Sequence, residues 1–497
     1  MLDKTKQDWG AQAAAIEIEG RAFINGRYED ALAGETRASM SPADGRKLAD
    51  VASCGTEDAD RAVVNARAAF ESGVWASMAP ADRKMVLVRW AELILEHADE
   101  IALLESLDAG KPIGDTTGGD VPAAARTIRW SGEAIDKVYD QVAPVPANCL
   151  ALVQRLPLGV VAAIVPWNFP LTTTAWKLAP SLATGNSVIL KPASNTPLSA
   201  LRIAGLASEA GLPDGVLQVL PGPGGSLGRH LALHNDIDGL TFTGSTEVGK
   251  QLMRYSGESN LKRTFLELGG KSPNIVFADA NLEKAAAFAA IAVFYNGGQT
   301  CTAGTRLIVE EGIREQFVEM VVAQSKKWMP GDPLDPATTM GPMIDAAQLN
   351  TVAEYVDIGQ AEGASLVTGG KQIMAESGGS YHEPTIFDGV KNSMRIAQEE
   401  IFGPVMSVIG FRDAEEAVAI ANDSIYGLAG AVWSNNINTA HRVAAAVRVG
   451  TMGINNYFGG DITVPFGGFK QSGNGRDKSI HAFDDYTELK TTWIEFE

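Results

Sequence analysis

Short apolar runs bounded by glycine and proline alternate along this chain with longer alanine-rich amphipathic stretches, and that alternation predicts its elements. The runs GVVAAIVP (159–166), SVILKP (187–192), GVLQVLPG (215–222), GLTFTG (239–244) and NIVFA (274–278) read as buried strands. The stretches 197–211 and 245–257 between them read as helices that end at glycine. Continuous apolar strands separated by helices predict a parallel sheet covered on both faces, in a doubly wound nucleotide-binding layout. The pattern recurs in TRLIVEE (305–311), MSVIGF (406–411), GLAGAVWS (427–434) and TMGINN (451–456), with helices over 415–424 and 438–450. A second α/β domain is expected there. The closing YTELKTTWIEFE (486–497) alternates like an edge strand, NCLALVQRLP (148–157) is a suitable companion, and an open terminal edge invites pairing with another subunit.

Composition narrows the partners. A chain of 497 residues with 45% hydrophobic content exceeds what one core usually organises, so two or more domains are expected. A formal charge of −19 repels phosphate backbones and anionic lipid, which argues against nucleic acid and membrane surfaces as partners. The three cysteines, Cys54, Cys149 and Cys301, are far apart without a CxxC pair, and the six histidines form no ligand-spaced cluster with them. Neither a disulfide framework nor a metal site is expected. The N-terminal stretch carries charges throughout, and no apolar run reaches membrane-spanning length, so a soluble, cytoplasmic protein is expected.

The chemistry concentrates in a few stretches. In NGGQTCTAG (296–304) Cys301 stands among small residues, a setting that gives a nucleophilic sulfur room. GPGGSLG (222–228) has one residue too many for a dinucleotide fingerprint and reads as a surface turn. GSTEVGKQ (244–251) follows a strand and opens a helix; Gln251 occupies the place of the magnesium-binding hydroxyl of a phosphate loop, which weakens a phosphotransferase reading, while the helix start still offers backbone N–H groups to a pyrophosphate. Lys191 follows an apolar strand at a sheet rim, within reach of ribose hydroxyls.

Seven stretches in order, VPWNFP (165–170), LKPA (190–193), TFTGSTEVG (241–249), FLELGGKSP (265–273), GGQTCTAG (297–304), EEIFGPV (399–405) and PFGGFKQSG (465–473), resemble the aldehyde dehydrogenase superfamily over most of the chain. Within it the text is similar to the branch acting on γ-glutamyl-γ-aminobutyraldehyde and 4-guanidinobutyraldehyde. The resemblance implies an α/β fold with a doubly wound Rossmann-like cofactor domain (1–139 and 159–269), a second α/β catalytic domain (270–469) and a small β oligomerisation element (140–158 and 484–497). It implies NAD(P)⁺-dependent oxidation of an aldehyde to a carboxylic acid. Cys301 is then the nucleophile, Asn168 with the Cys301 backbone N–H the oxyanion donor, and Glu267 the base that activates water. Trp167, Lys191, Ser194, Gly244, Ser245, Gly249, Glu400 and Phe402 fall at cofactor positions, Asn455 at a supporting one, and Lys470 at a lysine of the inner cavity.

Two departures from the family pattern matter. Ser194 stands where NAD-preferring members carry Glu, so NADP is not repelled there by charge. Asp477 replaces a frequent Glu and puts a proton-relay role in doubt. For the substrate, Phe169, Trp176, Tyr457, Phe458 and Trp130 are expected to wall an aromatic funnel, with Asp120 and Asp461 attracting a cationic tail. A broad-specificity aliphatic or semialdehyde dehydrogenase, a phosphotransferase built on 244–251 and a catalytically idle relative are the alternatives. By resemblance the subunits pair through the terminal strands into a homo-oligomer, a tetramer built from dimers.

Overall fold

A computed structural model describes residues 4–457 and 459–497; Phe458, expected in the substrate funnel, lies outside the described residues. Two seven-stranded sheets and a three-stranded sheet carry the architecture. In the first sheet the strands Arg263–Glu267, Gly239–Thr243, Val160–Ile164, Ser187–Lys191 and Leu217–Val219 run parallel in that spatial order. Their central members are buried along their whole length because helices pack on both faces, which is why they read as unbroken Val, Ile, Leu and Ala.

The N-terminal hairpin Ala22–Ile24 and Arg27–Glu29 extends this sheet antiparallel, turning at Asn25 and Gly26, both with positive φ. The sequence pattern had not separated this hairpin from loop, since three-residue strands are too short to show a period.

The second sheet orders Ser365–Thr368, Thr385–Asp388, Val405–Phe411, Arg306–Glu310, Pro273–Val276, Ala429–Trp433 and Thr451–Ile454, all parallel except the first. The 274–278 run therefore belongs here and not beside its chain neighbour 239–243. The neighbour of Gly239–Thr243 is Arg263–Glu267, the apolar run at 264–266 closed by a charged residue at each end.

The third sheet pairs Cys149–Pro157 antiparallel with both Gln141–Ala143 and Thr487–Glu495, in unbroken register from Thr487 opposite Pro157 to Glu495 opposite Cys149. Thr487–Glu495 is its edge, with Leu489 and Trp493 exposed. Among the described residues no helix is long and apolar enough to cross a membrane.

Candidate active site

In the first sheet the chain moves outward in both directions from Val160–Ile164, so the segments after that strand and after Gly239–Thr243 diverge at their carboxyl ends. A crevice opens at such a switch point. It measures about 560 Å³, and its lining includes Trp167, Asn168, Ser245, Glu267, Cys301, Glu400 and Phe402.

Cys301 is delivered to this crevice by the helix Leu282–Phe294 and an abrupt turn. Asn296, Gly297 and Gly298 are successive left-handed residues with φ of 52°, 63° and 73°. A side chain on Gly298 would overlap the Gly403 carbonyl, and one on Gly304 would meet the Tyr457 ring. The glycines around the cysteine thus serve tight backbone packing and turn geometry.

Asn168 follows the strand Val160–Ile164 and is buried. Its amide nitrogen donates to the Gln299 carbonyl at 2.9 Å, while the Asn296 amide donates to the Asn168 carbonyl at 3.0 Å. One amide hydrogen of Asn168 is thereby engaged, which orients the group and leaves the second for the crevice.

Glu267 ends the strand Arg263–Glu267 opposite Thr243, and both of its buried carboxyl oxygens lack a hydrogen-bond partner. Burial, reinforced by the Asp477 charge, holds its carboxyl well above the usual carboxylate range. Burial likewise pushes the Cys301 thiol up to about 12, with Glu400 and Glu267 adding to the shift, so the thiol keeps its proton at rest. Glu400 is pushed up to about 7 by burial against the hydrogen bond it accepts from the Gly270 N–H at 3.1 Å. Side chains on Gly269 or Gly270 would overlap the Glu400 carboxylate or the Cys301 carbonyl. The two glycines after Leu268 let these groups converge.

The geometry suits a dinucleotide. Ser245 caps the helix Thr246–Glu258 by accepting from the Val248 N–H at 3.3 Å, and Gly244 precedes it on the crevice wall, so free N–H groups and the positive helix end face an anion. Gly249 lies inside the first turn, packed on Leu268, and supports the helix without lining the crevice. Trp167 and Phe402 meet edge to face at 5.2 Å. Lys191 ends its strand, buried, with its ammonium donating to the Pro192 carbonyl at 2.8 Å, and burial lowers its pKa to about 8. Ser194 donates to the Gly222 carbonyl at 2.9 Å. The 222–228 segment, read as a surface turn, reaches inward: a side chain on Gly228 would meet the Lys191 Cδ at 3.6 Å. Its register therefore sets the wall beside Lys191.

The expected funnel is realised in part. Asp120, Phe169 and Trp176 line the crevice, Phe169 stacking on Tyr295 at 6.2 Å and Trp176 meeting Phe466 at 5.0 Å with tilted rings. Asp120 is not a free carboxylate, because the buried Lys111 ammonium stands 2.5 Å from it and also 3.8 Å above the Phe169 ring. Asp461 stands outside the crevice lining, half exposed and ion-paired with Arg126 at 2.6 Å. Trp130 packs on Phe483 in the core, and Tyr457 is buried behind the cysteine loop, donating to the Thr302 carbonyl at 2.6 Å. Lys470 donates to the Asn422 and Ser424 carbonyls away from the crevice lining, and the Asn455 amide bridges the Ser434 backbone.

Several contributors had not been singled out in the sequence. Gln348 donates to the Ile401 and Phe402 carbonyls at 2.9 Å each, holding the Phe402 backbone in its left-handed conformation. Lys177 pairs with Asp477 at 2.7 Å in full burial beside Glu267. Only the asparagine before two glycines at 296 carries a local signal, that of a left-handed turn. Lys250 is exposed and the Gln251 amide turns back to Glu247, so 244–251 closes no phosphate loop of the magnesium-binding type.

Comparison with known proteins gives one consistent answer. The model of the Aldehyde dehydrogenase family matches residues 29–492. The chain is 52% identical over 490 residues to the NADP/NAD-dependent aldehyde dehydrogenase PuuC of Escherichia coli, covering 98% of each chain. It superposes at a TM-score of 0.99 and 60% identity on an indole-3-acetaldehyde dehydrogenase complexed with NAD⁺, covering 99% of this chain and 100% of that one. It also superposes at 0.98 and 56% identity on the γ-glutamyl-γ-aminobutyraldehyde dehydrogenase of Burkholderia cenocepacia, with the same coverage.

Proposed function

Since this chain belongs to the aldehyde dehydrogenase family and is an NAD(P)-dependent aldehyde dehydrogenase, we propose that its reaction runs through a covalent adduct on Cys301. The Cys301 thiol gives up its proton to water, the thiolate attacks the aldehyde carbon, and the resulting oxyanion accepts hydrogen bonds from the free amide hydrogen of Asn168 and from the Cys301 backbone N–H. A bound nicotinamide dinucleotide supplies the hydride acceptor. Lys191 and Ser194 hold its adenosine end, Gly244 and Ser245 its pyrophosphate, Gly249 the helix turn behind them, and Trp167, Glu400 and Phe402 its nicotinamide end. The acyl group then rests on Cys301 as a thioester. Glu267 takes the proton of the attacking water, and the acid leaves.

The observation that carries this reading is the convergence of Cys301, Asn168, Glu267 and Glu400 on one crevice at a sheet switch point. An unpartnered buried carboxyl costs stability in a folded chain, and a base awaiting a water explains why Glu267 is kept so. The proposed division of the chain is a cofactor part (1–139 and 159–269), a catalytic part (270–469) and pairing strands (140–158 and 484–497). Subunit association through the open edge at Thr487–Glu495, as a dimer or as a tetramer built from two dimers, and a cytoplasmic location complete the proposal.

For substrate, ω-amino and γ-glutamylamino aldehydes are favoured by the likeness to a γ-glutamyl-γ-aminobutyraldehyde dehydrogenase. With Asp461 outside the lining and Asp120 paired to Lys111 while accepting from Thr172, neither of the two aspartates expected to attract a cationic tail offers it a free carboxylate. Aromatic aldehydes form a second reading, favoured by the walls of Phe169, Trp176 and Phe466 and the likeness to an indole-3-acetaldehyde dehydrogenase. Reduction followed at 340 nm with both cofactors and both aldehyde classes tests this. Higher kcat/KM for the amino aldehydes supports the first reading, and higher kcat/KM for indole-3-acetaldehyde supports the second.

A further inference from the structure

Asp60, His230 and His234 come together on the outer face of the first domain, away from the crevice. Asp60 lies on the helix Thr56–Glu71, His230 on the helix Arg229–Leu233, and His234 caps that helix one turn later. The His230 Nε2 is 2.5 Å and the His234 Nε2 3.4 Å from the same Asp60 Oδ1, and one ligand atom from each of the three residues lies within 4.8 Å of the others. We propose that Asp60, His230 and His234 form a divalent transition-metal site, zinc by preference, that joins the two helices.

The spacing fits the ion. A tetrahedral zinc with ligands at about 2.0–2.1 Å requires donor atoms about 3.3 Å apart. The His234–Asp60 separation already meets that, and the closer His230–Asp60 contact opens by a side-chain rotation of partly exposed groups. Two histidines four residues apart on one helix face present both rings to one point. Two imidazoles and one carboxylate select borderline ions such as zinc, nickel or copper over calcium or magnesium, and the fourth position is left to water.

The surrounding groups set the protonation the metal needs. The Asp236 N–H donates to the His234 Nδ1 at 3.1 Å, which places the ring proton of the metal-free protein on Nε2. Metal binding moves that proton to Nδ1 and turns the exposed Asp236 amide to water. The Lys262 ammonium opposes a cation here, but it is held by the Ala232 carbonyl and the Ser259 hydroxyl. The third ligand carries no local signal, since Asp60 is 170 residues from His230.

Zinc titrated calorimetrically into the Cys301→Ala protein, which removes the competing crevice thiol, is expected to saturate at one ion per chain. Affinity is expected to fall by at least about tenfold in each of Asp60→Asn, His230→Gln and His234→Gln. Copper(II) bound to the same protein is expected to show electron paramagnetic hyperfine coupling to two nitrogens, reduced to one in either histidine variant. Absence of saturable zinc binding, or an affinity unchanged in any of the three variants, overturns the proposal.

Discussion

The Lys177 ammonium and the Asp477 carboxylate lie 2.7 Å apart, both buried, beside a Glu267 carboxyl that has no hydrogen-bond partner of its own. Asp477 raises the proton affinity of Glu267 and Lys177 lowers it, so the pair sets where Glu267 titrates. Asp477→Asn removes the repulsive charge and leaves Lys177 unopposed, and both changes favour ionised Glu267. The pH at which acyl release reaches half its maximum is expected to fall, as read from the steady-state pH profile. Breaking the pair is also expected to cost about 3–5 kcal/mol of stability in denaturant unfolding.

For the enzyme itself the sign is alkaline. Cys301 and Glu267 both hold their protons above their ordinary pKa values, and in the proposed mechanism each reacts in its deprotonated form. Their reactive fractions therefore grow as pH rises, and kcat/KM is expected to climb from neutral into alkaline pH. A flat or falling profile over that range contradicts the assignment.

Asn168→Ala is expected to lower kcat by about 10²–10³, the cost of one oxyanion donor. It also frees the Gln299 carbonyl from its 2.9 Å hydrogen bond, so Asn168→Asp, which keeps the shape and loses the donor, is the companion variant. Rate constants for the burst phase of the two variants check the point; a fall in the first with none in the second means that packing alone was measured.

At the proposed adenosine end, Ser194 donates to the Gly222 carbonyl, and the largest influence on Lys191 after burial is the cation Arg37. Ser194→Glu introduces an acid into this basic corner. KM for NADP is expected to rise at least about tenfold while that for NAD changes little. Equal effects on the two cofactors would mean that the 2′-phosphate is not read at this position.

Part of the crevice is legible in local sequence features, Ser245 at a helix start and Cys301 among glycines, with Lys191 beside it at the end of an apolar strand, whereas Asn168, Glu400 and Phe402 follow only from the family resemblance. What was not legible depended on distance along the chain. Lys111 neutralises Asp120 and Arg126 captures Asp461, and neither pairing leaves a trace in local pattern. The short strands at 22–29 escaped for another reason, since three residues each are too few to show a period. Gln348 supports Phe402 from 54 residues away, again without a local signal.

The covalent role of Cys301 is tested most directly by trapping. In Glu267→Gln the base is lost but the thiol and the Asn168 amide remain, so mixing with aldehyde and NAD⁺ is expected to give a hydride burst of one equivalent per active site followed by slow turnover. Mass spectrometry of the quenched protein is expected to find the acyl mass on the peptide that carries Cys301. A burst with Cys301 unmodified, or substantial turnover by Cys301→Ala, contradicts the account.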